Sequence, residues 1–107
     1  MENDKLYVVV RRDLPVGLRC AQICHAALKF AHEWRTIETA WYHGSNNIVI
    51  PEVEDQAELL VMIERLRNGG ISLSVFEEPD LNNEITAIAV EPKAKRLLRR
   101  VRLACAA

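Results

Sequence analysis

RRDLPVGLRCAQICHAAL, residues 11–28, is the stretch that decides the fold. It begins at the end of an apolar, β-branched run, LYVVVR (6–11), which is typical of a strand buried on both faces. Pro15 and Gly17 then interrupt the chain, and the residues that follow have helical spacing. A strand that leads through a short break into a helix predicts the opening of an α/β unit.

The helix predicted over 18–34 carries three lines of residues spaced by three or four positions. Two lines are apolar: Cys20, Ile23, Ala27, Phe30 and Trp34, and then Ala21, Cys24, Leu28 and Ala31. The third line is polar: Gln22, His25, Lys29 and His32. Residues at this spacing share a helix face, so we expect both apolar lines to be covered, with Cys24 in the core. The polar line then calls for a separate explanation.

The rest of the chain predicts further alternation of helices and strands. We expect a short helix or turn at 35–46, a strand at 47–50 that ends at Pro51, a helix at 55–68 capped by Asp55, a strand at 71–76, an acidic loop at 77–84, a strand at 85–90 and a final helix from Pro92. The final helix has the apolar line Ala94, Leu97, Leu98 and Val101. This order predicts a single α/β domain over 1–107, a three-layer α/β/α sandwich with a four-stranded mixed sheet.

Size and composition narrow the function classes. The 107 residues suggest one domain, and no apolar run approaches the roughly 18 residues of a membrane span. The N-terminal residues lack the pattern of a signal peptide. Cys20, Cys24 and Cys105 form no disulfide framework, which is typical of a reducing compartment. We therefore expect a cytoplasmic protein without a membrane partner.

Charge is distributed unevenly although the net charge is only −1. Residues 52–91 contain ten acidic and two basic residues, whereas residues 92–107 contain six basic residues and no acidic one. A basic end indicates either phosphate contact with a nucleic acid or a solvated helix face, and both interpretations stay open. No aromatic residue interleaves with the basic run, so base recognition is not expected there.

The segment VVVRRDLPVGLRCAQICHAAL (8–28) resembles the start of the type 2 peptidyl-tRNA hydrolase family. The matching features are Arg11 or Arg12, Asp13-Leu14, Gly17, Ala21-Gln22 and His25-Ala26. Trp41, Gly44 and the strand 47–50 match next, and TAIAVEP (86–92) resembles the family's threonine-led strand. The resemblance covers nearly the whole chain. It implies this fold, hydrolysis of the ester between a peptide and the terminal ribose of tRNA, no cofactor, and a homodimer.

The family's catalytic set carries over only in part. Its members have a lysine directly after the loop glycine, where this chain has Leu18, and Arg19 is the nearest cation. An Asp-Ala-Gly-Arg-Thr-Gln segment is replaced by residues 77–81. Glu78 is the closest counterpart of its aspartate, with Asp80 as the alternative, and Thr86 matches the threonine that leads the last strand.

Ester hydrolysis needs a water, a base for its proton and stabilisation of the developing oxyanion. The resemblance makes Glu78 or His25 the base and lets Thr86 position the water. Arg19 would add a cation beside the free N–H groups of the first helix. The candidate substrate-binding residues are Asp13, Gln22, Arg12, Lys29, Arg96, Arg99 and Arg100. No metal set is expected, because His25 and His32 have no nearby carboxylate or cysteine.

Structural roles compete with each catalytic one. His25 and Gln22 could form a satisfied polar pair, Asp13 could cap the turn into the helix, and Arg12 and Arg19 could hold the acidic loop. The absence of the lysine also leaves a second function open. In that case the chain is a catalytically inactive homologue that binds RNA, a nucleotide or a protein partner through the same cleft.

Overall fold

A mixed five-stranded sheet forms the middle layer of the computed structural model, which describes residues 4–104. The strands are β1 (Lys5–Arg11), β2 (Asn47–Val49), β3 (Glu52–Val53), β4 (Leu73–Glu78) and β5 (Glu84–Val90). The order across the sheet is β2-β1-β5-β4, and β3 continues the β2 edge by pairing with the end of β1. Strand β1 is parallel to β2 and β3 and antiparallel to β5, which is antiparallel to β4.

Within residues 4–104, four helices cover the two faces of this sheet: α1 (Val16–Glu33), α2 (Arg35–His43), α3 (Gln56–Asn68) and α4 (Lys95–Leu98). Alternate residues of β1 point to opposite faces, as in any strand. Val8 packs with Phe30 and Trp41 under α1 and α2, whereas Val9 packs with Leu59 under α3 and α4. The predicted three-layer α/β fold is therefore confirmed.

Local sequence signals explain where α3 begins and ends. Asp55 accepts a hydrogen bond from the backbone N–H of Glu58 at 3.0 Å, which satisfies one free donor of the first turn. The Glu58 carboxylate in turn accepts from the N–H of Glu54 at 2.8 Å. At the other end Gly69 caps the helix, and Gly70 adopts a φ of 72°, which favours glycine.

Three predicted elements need correction. The sheet has a fifth strand, β3, because the chain resumes pairing with β1 after Pro51. Strand β4 extends through Glu78, so the acidic segment begins in the sheet and continues as a 3₁₀ turn at Pro79–Leu81. The long final helix is wrong, since a 3₁₀ turn at Pro92–Ala94 leads into the four-residue α4.

The second apolar line of α1 faces solvent, which contradicts the expectation that both lines are covered. Leu28 is 69% exposed, and Ala21 and the free thiol Cys24 are exposed as well. Cys24 is therefore not a core residue, and Cys105 lies outside the described residues. Within residues 4–104, no helix is long and apolar enough to cross a membrane.

Candidate functional site

Three side chains from separate elements form one buried hydrogen-bonded chain, which we call the polar chain (Thr86, Gln22 and Glu78). The Thr86 hydroxyl donates to Gln22 Oε1 at 2.5 Å, and Gln22 Nε2 donates to Glu78 Oε1 at 2.8 Å. Thr86 and Gln22 are fully buried, and Glu78 is 9% exposed. The polar line of α1 thus has its first member at the centre of this chain.

The sheet topology explains why these residues meet. Glu78 ends β4, Thr86 lies near the start of β5, and the two strands are joined by a tight turn through Asn82 and Asn83, both with positive φ. Asparagine tolerates this left-handed conformation better than most residues. The turn lies at the same end of the sheet as the carboxyl end of β1. Open α/β sheets bind ligands beyond the carboxyl ends of their strands.

Hydrogen bonds hold Glu78 in its ionised form. The bond from Gln22 is the main cause that lowers the pKa of the Glu78 carboxyl, and a bond from the backbone N–H of Asp80 to Glu78 Oε2 at 3.1 Å adds to it. Burial opposes this shift, and the charge of His25 favours it. Glu78 is therefore a fixed anion at neutral pH.

The residues after β1 form a second charged cluster around Arg11. Its guanidinium donates to both carboxylate oxygens of Asp13, at 2.9 and 2.8 Å, and to Glu84 at 2.7 Å. The bond from Arg11 lowers the pKa of Asp13. This bidentate pair joins the loop after β1 to the start of β5. Asp13 therefore binds Arg11.

Arg19 and Arg12 also contact protein groups. Arg19 donates to the carbonyl of Leu14 at 3.2 and 2.8 Å and to that of Arg12 at 3.0 Å, and its Nη1 lies 4.0 Å from the Glu52 carboxylate. Arg12 pairs with Glu54 at 3.0 Å on the surface. Neither arginine pairs with the acidic segment 77–84, which was one of the open interpretations. Arg19 instead fixes the loop that leads into α1.

His25 and Lys29 continue the polar line of α1 along β4. The His25 ring stacks on Phe76, with ring centroids 4.7 Å apart and planes 12° apart. Lys29 donates to the carbonyl of Val75 at 2.7 Å. Lys29 therefore ties α1 to the edge strand, whereas the imidazole nitrogens of His25 bond no other side chain among residues 4–104.

A groove of about 610 Å³ lies between the start of α3 and the segment 96–102, and we call it the arginine groove. Its charged lining comprises Glu52, Glu54, Glu58, Arg65, Arg96, Arg99, Arg100 and Arg102. Glu52 pairs with Arg102 at 3.1 Å and is almost fully buried. Within the described chain, Arg96, Arg99 and Arg100 form no ion pair. The groove thus gathers the three arginines that the sequence marked for phosphate contact.

The structure separates the predicted site residues into two places. The polar chain brings together Gln22, Glu78 and Thr86, with His25 alongside, whereas Arg96, Arg99 and Arg100 line the groove. Asp80 contributes its backbone N–H to Glu78 and has an exposed side chain. Sequence reasoning missed Phe76 and the Arg11 cluster. The signal for Phe76 was its place two residues before Glu78, although an aromatic residue in a strand is typical of a core.

No group of three or more metal-ligating side chains that could hold an ion occurs in the part of the chain from 4 to 104. The polar chain consists of one carboxylate, one amide and one hydroxyl. The carboxylate suits proton transfer, and the buried amide and hydroxyl hold it in one orientation.

Fold and site together define a small α/β domain with an acid–amide–hydroxyl site at the carboxyl ends of β1 and β4. The family model described as peptidyl-tRNA hydrolase PTH2 matches residues 4–103. The chain belongs to this family.

Comparison with solved structures gives the same fold. A protein of unknown function from Agrobacterium tumefaciens is similar with a TM-score of 0.71 and 16% sequence identity, over 98% of this chain and 100% of that one. A comparison with curated protein sequences gave no match.

Proposed function

We propose that this protein is a peptidyl-tRNA hydrolase, which cleaves the ester between a peptide and the terminal ribose of tRNA. The observation that carries this proposal is the polar chain. Gln22, Glu78 and Thr86 correspond to polar positions of the family and come from α1, β4 and β5, yet they form one continuous set of hydrogen bonds. A purely structural domain has little need for a buried anion at this edge of the sheet.

Glu78 is the proposed general base. Its lowered pKa keeps the carboxylate ionised at neutral pH. Each of its oxygens accepts one protein hydrogen bond, whereas a carboxylate has about four acceptor positions. The 9% of its surface that remains exposed lets it accept a hydrogen bond from an attacking water. His25, beside it, is the alternative base.

Gln22 and Thr86 are proposed positioning residues. Both are fully buried, so they act on the substrate through Glu78 rather than by contact. The Thr86 hydroxyl fixes which end of the Gln22 amide is the acceptor, and the amide nitrogen then faces Glu78. This arrangement holds the carboxylate in one orientation before the substrate arrives, which reduces the reorganisation that the reaction requires.

The oxyanion would be stabilised by backbone groups. The first N–H groups of a helix have no partner within it, and among residues 4–104 no side chain caps α1. Its dipole adds partial positive charge at the same end. Arg19 supports this arrangement by holding the carbonyls of Arg12 and Leu14. Arg19 thus shapes the loop that leads into α1. It does not supply the free cation that the family's lysine would provide at the position of Leu18.

The tRNA phosphates would bind in the arginine groove. Arg96, Arg99 and Arg100 line it and form no ion pair with any carboxylate between residues 4 and 104. The groove reaches the loop after β1, because Glu52 lies between Arg102 and Arg19. A polyanion bound there would extend toward the end of the sheet that holds the polar chain.

One observation favours a second function, that of a non-catalytic homologue which binds RNA. The family lysine is replaced by Leu18, and the nearest cation, Arg19, donates to two backbone carbonyls. Among residues 4–104, no lysine or arginine is then placed to take over the role of the family lysine beside Glu78. The arginine groove would then be the only functional part that the two hypotheses share.

Release of N-acetyl-amino acid from N-acetyl-aminoacyl-tRNA by the purified protein tests the proposal. We expect multiple turnovers by the wild-type protein and loss of release by Glu78→Gln prepared in the same way, which excludes a contaminating hydrolase. Folded wild-type protein that binds the tRNA but releases nothing would favour the non-catalytic function.

A further inference from the structure

The stacked ring pair beside the polar chain has an open side. Phe76 is half-buried and packs against the core under α1 and α2, and His25 covers its other side. His25 is nevertheless an exposed residue. One face of its ring lies on Phe76, which leaves the outer face and the ring edges as the parts of the ring that a ligand can contact.

The ring pair lies close to the proposed base. His25 follows Gln22 by three residues on α1, a rise of about 4.5 Å along the same helix face. Phe76 precedes Glu78 by two residues on β4, and the charge of His25 acts on Glu78. Two residues of a strand span about 6.8 Å, so the aromatic platform lies roughly that far from the carboxylate along β4.

We propose that His25, supported by Phe76, stacks on the base of the nucleotide whose ribose carries the ester. Single-stranded RNA ends are commonly bound by stacking of bases on aromatic rings. The inference rests on the proposed function and names the part of the substrate that this side of the site recognises. The base of the terminal nucleotide is the same adenine in every tRNA, whereas the amino acid varies, so a fixed flat platform suits the base.

The first test compares two esters that differ only in the base. Both carry N-acetyl-glycine on the 3′ end of a short CCA oligonucleotide, and in one the terminal ribose is abasic. Acetyl-glycine has no ring, so the acyl group cannot stack. We expect kcat/KM of the wild-type protein to be about 5- to 150-fold higher for the ester with the base, which is the range for one stacked base.

Variants separate stacking from proton transfer. His25→Ala should reduce the ratio of the two rates to about one, and His25→Phe should retain it because the ring remains. The exposed His32, two turns further along α1, provides the control, and His32→Ala should keep the wild-type ratio. If His25 were the base, His25→Phe would lose activity on both esters.

A binding experiment gives a readout that needs no hydrolysis. The probe is the same oligonucleotide with 2-aminopurine as its last base and an amide in place of the ester. Stacking should quench its fluorescence with wild-type protein and His25→Phe, but not with His25→Ala. Quenching without hydrolysis of either ester would support base stacking on His25 and would contradict the proposed hydrolase activity. Equal hydrolysis of both esters would overturn the platform alone.

Discussion

The polar chain and the arginine groove hold their charged groups in opposite ways. In the polar chain every member is buried and bonded to the next, and the single anion, Glu78, has a lowered pKa. In the groove, Arg96, Arg99 and Arg100 are exposed and form no ion pair within residues 4–104. The first arrangement fixes geometry before a ligand arrives, whereas the second leaves charge available for one.

Because their charged groups are held differently, the polar chain and the arginine groove should affect different steps of the reaction. Preorganised groups in a water-poor site contribute mainly to the chemical step. Exposed arginines contribute mainly to binding of a polyanion, and salt weakens that contribution. Substitutions in the polar chain should therefore change kcat, and substitutions in the groove should change affinity.

The largest effect is expected from Glu78→Gln. The amide can still accept from Gln22, so the fold is kept, but the general base is lost. We expect kcat to fall by about 10²- to 10⁴-fold, with little change in tRNA affinity. Single-turnover release from N-acetyl-aminoacyl-tRNA measures the first quantity, and filter binding measures the second.

Glu77 provides a matched control for this substitution. It is exposed, and its side chain forms no hydrogen bond within the described chain. Glu77→Gln removes the same charge one residue away and should keep nearly full activity. A similar loss in both variants would mean that the general negative charge of this segment matters, and not the Glu78 carboxylate.

The groove should give a smaller, salt-dependent effect. Replacing Arg99 and Arg100 by alanine removes about two phosphate contacts, which flattens the slope of log affinity against log salt by about 1.4–1.8. Raising the salt from 50 to 200 mM should therefore weaken tRNA binding by the wild-type protein about tenfold more than binding by the double variant. The double variant Arg35→Ala with Arg67→Ala removes the same charge outside the groove. Equal slopes for the two double variants would exclude the groove as the phosphate site.

Residue spacing predicted much of this molecule, but not the course of the chain after α4. The apolar line Ala94, Leu97, Leu98 and Val101 continues with helical period, and all four residues pack against the core. The helix nevertheless ends at Leu98, because the carbonyl of Arg102 accepts from the N–H of Glu52 at 2.8 Å. A contact between residues 50 positions apart has no signal in local periodicity.

The candidate site, like the fold, was predicted from the sequence only in part. The resemblance identified Gln22, Glu78 and Thr86 as candidate site residues. The expected order of elements placed the acidic segment with Glu78 beside the start of the first helix, because that segment leads into the last strand. Spacing alone could not predict that Arg19 bonds to the loop carbonyls, since an arginine at a helix start suits a substrate equally well. Alanine and cysteine are compatible with core and surface, so the second apolar line of α1 was misplaced.

Thr86→Val tests how firmly the polar chain is held. Valine has the shape of threonine but leaves Gln22 Oε1 without its buried donor, which costs about 1–2 kcal/mol of unfolding free energy. For a domain of this size we expect Tm to fall by roughly 5–15 °C. Thr86→Ser keeps the hydroxyl and should be less affected in kcat than the valine variant. An unchanged Tm in Thr86→Val would mean that the hydroxyl does not hold the amide.

The smallest effect concerns acid stability and compares Glu78→Gln with the wild type. The pKa of Glu78 is lower in the folded protein than its ordinary value of 4.5, so the unfolded chain takes up the proton first as pH falls. This carboxylate therefore stabilises the fold above pH 4.5, and its contribution is lost as pH falls through the folded pKa. Urea unfolding between pH 7 and pH 3 should show a steeper loss for the wild type than for Glu78→Gln, with Glu77→Gln following the wild type. Parallel curves for the wild type and Glu78→Gln would mean that Gln22 does not favour the ionised carboxylate, and the preorganised base would then have no support.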